Sequence, residues 1–185
     1  MNLLKNKKAL STVVTTLIIL VVSVLLATVV TFYAINVTTT RVQEESLFLT
    51  KPHIWYNTTG NWAEGAIVIV NTGGKDVVID KITVRGQECP WTNVYYYRNN
   101  TMAVSDDLTV TPTEPTAPFT HTVQGESRSF VAADGDLTLK SGWTVVLYID
   151  KPDSIGLNDV GITVGITVFT SNAQYYKEVN VEAAQ

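Results

Sequence analysis

Between Lys8 and Arg41 the chain carries no Asp, Glu, Lys, Arg or His. Inside that interval, Leu10 to Ala34 contains fifteen Leu, Ile, Val and Phe residues, relieved only by Ser, Thr, Ala and Tyr. A helix of ~25 residues rises ~1.5 Å per residue and reaches ~37 Å, enough to cross a bilayer. Fifteen such side chains at about 0.4 kcal/mol each favour insertion by roughly 6 kcal/mol, before the milder polar residues are subtracted. The run is expected to enter a membrane, which limits every other reading of the chain.

A secretory signal peptide, a permanent anchor and the core helix of a filament subunit all begin this way. Ordinary signal peptides have a 7–15-residue apolar region and then a small-x-small cleavage site. This run is longer, and Asn36-Val37-Thr38-Thr39-Thr40 is a poor site of that kind. The distinctive feature lies in front of the run. Lys5, Lys7 and Lys8 stop abruptly, and a small Ala9 precedes Leu10-Ser11. This arrangement resembles the class III signal of archaeal type IV pilins and archaellins.

The resemblance implies processing at Lys8, Ala9, Leu10 and Ser11, with a prepilin peptidase cutting after Ala9. Residues 1–9 would be the signal peptide and Leu10 the new N-terminus. The physical logic is consistent with such a cut. Three lysines buried among packed helices each carry a large desolvation penalty unless paired. While uncut, they hold that end in the cytoplasm by the positive-inside bias. Within the run, Thr12, Thr16, Ser23, Ala27, Thr31 and Ala34 fall within a sector of about 100° on a helical wheel. Small residues on one face let helices approach closely where no water drives them together. The glutamate that bacterial type IV pilins carry early in the mature helix is missing, which fits the archaeal side of the superfamily. The Gly-rich opening associated with archaellins is missing too.

Composition allows one globular domain besides the helix in 185 residues. The formal charge is −4, and loss of Lys5, Lys7 and Lys8 lowers it by a further three. A basic nucleic-acid surface is therefore not expected. Cys89 is the one cysteine, so no intramolecular disulfide forms. Pro52 reads as the stop of the helix, because it disfavours helical geometry at Lys51. The expected division is thus an assembly or transmembrane helix over 10–51 and an extracytoplasmic β-domain over 52–185.

After Pro52 the hydrophobic period becomes that of strands. Ala66-Ile67-Val68-Ile69-Val70 and Val77 to Val84 flank Asn71-Thr72-Gly73-Gly74 and read as a hairpin. The Gly73-Gly74-Lys75 triplet lacks the other residues of a phosphate-binding loop. Further short runs lie at 93–98, 108–111, 127–132 and 137–139. Trp143 to Ile149, Gly161 to Thr170 and Tyr175 to Val181 are stronger. Many short strands separated by turn residues predict an all-β, immunoglobulin-like sandwich.

Little in this domain points to catalysis, and no enzyme activity, cofactor or metal is expected. His53 and His121 have no partners at ligand spacing. Asp134-Gly135-Asp136 and the pair Asp150 and Asp153 do not match a calcium loop. Tyr95, Tyr96 and Tyr97 alternate faces on a strand, which argues against a continuous aromatic stripe. Three Asn-x-Ser/Thr sequons, at Asn36, Asn57 and Asn99, are candidate glycosylation sites, with Asn57 and Asn99 in expected turns.

The sequence therefore implies a structural subunit, similar to archaeal type IV pilins. Its partners would be the membrane before assembly, the peptidase, an assembly platform and further copies of itself in a helical homopolymer. Its destination would be a surface filament used in adhesion or surface interaction. The alternative is a monomeric extracytoplasmic β-sandwich binding domain on an uncut N-terminal anchor.

Overall fold

A computed structural model describes residues 7–42, 44–100, 104–116 and 118–184, with helical side chains described over 11–40. The chain divides into two compact units, Met1–Gln43 and Glu44–Gln185. The first contains one helix, α1, Lys7–Val42. Its 36 residues include neither Gly nor Pro, so no breaker interrupts a rod of about 54 Å. Valine, isoleucine and threonine are indifferent helix formers in water. In hydrocarbon, however, a helix is the one single-segment structure that satisfies its own backbone.

The helix is shorter than the expected 10–51. Thr38, Thr39 and Thr40 stay helical, each hydroxyl bonded to the carbonyl four residues back. Strand β1, Leu47–Asn57, then begins before the proline. Leu47 and Leu49 are buried while Phe48 between them is exposed, a period of two. Pro52 lies inside this strand, where the pairing register shifts between Thr50 and His53 and Lys51 adopts φ 51°. A proline at a bulge forfeits no ladder hydrogen bond, so it punctuates the strand without ending a helix.

The second unit is an all-β sandwich, as the period change predicts. In one layer β1 pairs antiparallel with β2, Trp62–Asn71. Strand β2 pairs with β9, Thr144–Asp150, and β9 with β5, Val94–Asn99. In the other layer β3, Val77–Val84, pairs with β10, Thr163–Thr170, and β10 with β11, Gln174–Ala184. Two short strands, β4 at Gln87–Glu88 and β8 at Leu137–Leu139, add to β3. Strand β11 joins the layers. Its earlier residues pair with β10, whereas Val181–Ala184 run parallel to Ile54–Asn57 of β1.

The expected hairpin between 66–70 and 77–84 does not form. Both edges of β2 are taken, by β1 and β9, and β3 lies in the opposite layer. The Asn71-to-Gly74 loop carries the chain between layers instead. Asn71 is fully buried there; its amide donates to the carbonyls of Lys75 at 2.8 Å and Leu139 at 3.0 Å, and its Oδ1 accepts from Gly73 N–H.

The main core lies between the layers, with Ile67, Ile69, Leu147 and Ile149 facing Ile79, Ile82, Ile166 and Val168. A second core covers the other face of the first layer. Ala66, Val68, Val146 and Tyr148 meet Phe130 and Val123 there, beneath the hairpin of β6, Phe119–Val123, and β7, Glu126–Ala132. Residues 108–111, read as a strand in sequence, form no ladder. They lie as an extended strap on this second core, with Leu108 and Thr111 buried.

These boundaries make the truncation point testable. A fragment beginning at Glu44 should be a soluble, cooperatively melting β-protein. One beginning at Pro52 loses the buried Leu47 and Leu49 and half of the β1–β2 ladder. Two buried leucines are worth about 4 kcal/mol or more, so its melting temperature should fall by roughly 10–20 °C or the fragment should aggregate. Circular dichroism melts of the two fragments check this.

Candidate functional site: the apolar helix and its attachment

Within Ser11–Thr40 an 18-residue stretch has a mean hydropathy of 2.9, and none of it is buried. Leu17, Ile18, Leu25, Val29, Phe32 and Ile35 are each more than half exposed. The helix is therefore long and apolar enough to span a membrane and lies at the N-terminal end. Its hydroxyls are turned inward on their own backbone: Ser23 Oγ donates to the Ile19 carbonyl at 2.7 Å, and Thr31 Oγ1 to that of Ala27 at 2.7 Å. Thr16 bonds back to Val13 at 2.9 Å. Such back-bonding hides the polar atom and leaves the methyl group outward.

The six residues expected on the small face, Thr12, Thr16, Ser23, Ala27, Thr31 and Ala34, are all exposed along α1. Ala27 and Thr31, with Thr28, floor a shallow groove rimmed by Val24, Phe32 and Ile35. Of the processing residues, Ser11 is exposed on the helix. Lys8, Ala9 and Leu10 belong to its first turns, but their side chains lie outside the described residues, as do residues 1–6 altogether. Asn36 is exposed on α1. Asn57, expected in an exposed turn, closes β1 and is 9% exposed, with its Oδ1 accepting from the N–H groups of Thr59 and Gly60. Asn99 is half-buried and donates to Tyr97 Oη at 3.1 Å; its sequon partner Thr101 lies outside the described residues.

The sequence reading missed how firmly the β-unit holds its own first residues. Gly74 N–H donates to the Glu44 carbonyl at 3.2 Å, and the N–H groups of Thr72 and Gly73 donate to that of Ser46 at 2.9 and 3.0 Å. The Glu45 carboxylate is 7% exposed, accepting from Thr170 Oγ1 and Asn172 Nδ2, with Lys75 Nζ at 3.8 Å. A Cβ on Gly73 would stand 2.6 Å from the Glu44 oxygen and 2.7 Å from Ser46 N. Glycine is required there by close backbone approach. Only Gln43 separates these anchored residues from the last residue of α1.

Elsewhere the titratable groups serve the fold. Glu64 is fully buried on the second-core face of β2, opposite Asp150 of β9. Its Oε2 accepts from Thr111 N–H at 2.9 Å and from Thr111 Oγ1 at 3.1 Å, tying the strap down. Burial pushes its carboxyl up to about 7, opposed by the Thr111 bonds and reinforced by the Asp150 charge. Asp150 is itself shifted upward by burial, with Lys151 opposing. His53 stacks on Trp55 at 4.8 Å and bonds Asp107 at 2.8 Å, which lowers the Asp107 carboxyl. His121 is buried, bonded to Thr109, and shifted downward by burial. Burial pushes the Cys89 thiol up to about 11, so it is not a reactive thiolate. Asp134 and Asp136 are exposed, and no group of three His, Cys, Asp or Glu among the described residues is placed to hold a metal.

No protein-family model and no curated protein matches this chain. Among solved structures, the copper-bound PCuAC domain from PmoF2 is similar over 76% of this chain and 99% of that domain, at 11% identity and a TM-score of 0.34. A β-glucosidase from Erythrobacter marinus is similar over 74% of this chain and 15% of its own, at 11% identity and a TM-score of 0.29.

Two measurements probe this region. The folded Glu64 carboxyl titrates above its unfolded value, so the folded state binds the extra proton between about pH 4.5 and 7. The Glu64 contribution to stability should be fully present below that window and fall by a few kcal/mol as pH rises through it. Glu64→Gln keeps an acceptor for Thr111 N–H, and should flatten this pH dependence and raise the melting temperature at pH 8. Gly73→Ala should instead release the 44–46 segment, seen as faster amide exchange at Thr72 to Gly74 with the sandwich otherwise protected.

Proposed function

We propose that this chain is a structural subunit that polymerises through α1 into an archaeal type IV pilus-like surface filament, its β-sandwich displayed outward for adhesion. One observation carries the reading: a helix that is uncharged over Ser11–Thr40, with its apolar side chains exposed there, followed by a folded β-unit. Such a surface has no stable place in water, since each large apolar side chain left uncovered forgoes about 1.5–3 kcal/mol. Lipid covers it before assembly, and other copies of α1 cover it afterwards. The basic-small-apolar-small order at Lys8 to Ser11 supports processing before assembly. The groove at Ala27 and Thr31 supports close helix approach. The prepilin peptidase and assembly platform follow from the same reading, as does a location at the cell surface.

Replacing Lys8 and Ala9 by glutamate should block processing and leave the uncut chain in the membrane fraction. Intact mass of the assembled protein checks it; filaments that retain Met1 would overturn the proposed cut after Ala9.

Ala27→Lys separates insertion from polymerisation. A lysine at the bilayer centre costs ~3 kcal/mol on translocon scales, which a helix this apolar tolerates. In a filament the charge recurs in every copy without an acidic partner, at several kcal/mol each. Membrane-inserted protein should be normal and sheared filaments absent. Normal filament yield from this variant would defeat the proposal.

A further inference from the structure

The β-unit has a groove of about 480 Å³ lined by Tyr96, Tyr97, Arg98, Ser129, Lys140 and Trp143, with Thr138 and Val131 completing the wall. Its origin is topological. Strand β7 pairs with β5 only at Tyr95 and Tyr96, then departs with β6 to cover the second core. Among the described residues no strand replaces it beside Tyr97, so the groove wraps an open sheet edge. That is how Tyr96 and Tyr97, which face opposite cores, come to border one space. Strict alternation along the strand hides this from a sequence reading.

Charge gives the groove its character. The Glu44–Gln185 unit contains all 17 acidic residues, while Lys5, Lys7, Lys8 and Arg41 of the 13 basic ones precede it. In this acidic unit, Lys75, Arg85, Arg128 and Lys151 are paired with carboxylates. The groove lining includes no acidic residue, and its cations Arg98 and Lys140 form no ion pair among the described residues. Each lies over a ring instead: Arg98 is 4.7 Å from the Tyr96 centroid, and Lys140 is 5.2 Å from that of Trp143. Arg98 is further fixed by bonds to the Thr138 carbonyl at 2.7 Å and to Tyr96 Oη at 3.2 Å. Positioned cations on aromatic faces, with the hydroxyls of Ser129 and Thr138 beside them, suit a ligand both anionic and hydroxyl-rich.

We propose that this groove binds an acidic oligosaccharide, with Arg98 and Lys140 taking a carboxylate and the aromatic rings and hydroxyls taking neighbouring sugars. The volume falls within the ~300–1,000 Å³ of small-ligand sites, whereas a folded partner needs about 800 Å² of surface. The acidic surroundings repel a densely charged polymer such as a nucleic acid and tolerate one isolated carboxylate among neutral sugars. Sugar C–H groups are polarised and meet the negative face of an aromatic ring by the same quadrupole that attracts the two cations.

The test is calorimetric titration of the full chain in detergent with a trisaccharide of two glucose units and one glucuronic acid, against maltotriose and a tripeptide of two glycines and one glutamate. The acidic sugar should bind at least tenfold tighter than either control, and weaken as salt rises. Lys140→Ala, at an exposed position, should lower acidic-sugar affinity roughly ten- to hundredfold without moving the melting temperature. Tyr97→Phe should leave the charge preference intact. Equal affinity for maltotriose, equal affinity for the peptide, no binding at millimolar sugar, or unchanged binding by Lys140→Ala would each overturn the proposal. Filament yield of Lys140→Ala keeps the two readings apart. A chain that polymerises without binding the sugar defeats only the groove, and one that binds it without polymerising defeats only the filament.

Discussion

Strands β2 and β9 are buried on both faces, and the β-unit is arranged around the need to cover them. One face meets β3, β10 and β11 across the main core; the other needs a cover that the two-layer sandwich does not supply. The β6–β7 hairpin and the strap at 108–111 fill that role. Covering the second face pulls β7 away from β5 and so opens the groove at Tyr97. It also places Glu64 under the strap, where Tyr148 Oη donates to the Thr109 carbonyl at 2.9 Å and Thr111 holds the carboxylate. One packing demand thus accounts for a loop, a groove and a shifted carboxyl.

Much of this was legible in the residues. The uncharged run before Arg41 needed only counting, and alternation from Val164 to Val168 marked a strand with one buried face. Continuous apolar runs such as Ile67-Val68-Ile69 and Val145-Val146-Leu147 carry a further signal, because alternation disappears when neither face meets water. Which strands pair was not legible. Asn71-Thr72-Gly73-Gly74 has the composition of a hairpin turn, and nothing local distinguishes a turn from a crossing between layers. Pro52 misled for a related reason, since proline disrupts a helix and a strand interior alike and the bulge that accommodates it is a tertiary feature. Glu64 and Glu45 had no sequence signature at all. Their burial depends on Thr111 in one case and on Thr170 and Asn172 in the other, residues distant along the chain.

The chain also divides by charge along its length. Every carboxylate lies after Gln43, and the helix before it has none. The β-unit thus carries a net negative charge, while α1 leaves its apolar side chains exposed. Glu45, the second acidic residue met along the chain, is spent on anchoring: it is buried, bonded and paired with Lys75. The boundary between the carboxylate-free and acidic parts is also where the β-unit fastens its own beginning.

The inward-turned hydroxyls of α1 have a consequence for exchange between surroundings. Ser23, Thr28, Thr31 and Thr38 each complete their bonding within one helical turn. None of these depends on a neighbour for a partner. If such a helix exchanges lipid for protein neighbours, as proposed above, these hydroxyls keep their partners and the difference between the two surroundings rests on shape and dispersion. Those forces fall steeply with separation and leave no directional bond to be broken first. In the proposed filament, exchange of lipid for protein neighbours would then require no change of partner at these hydroxyls.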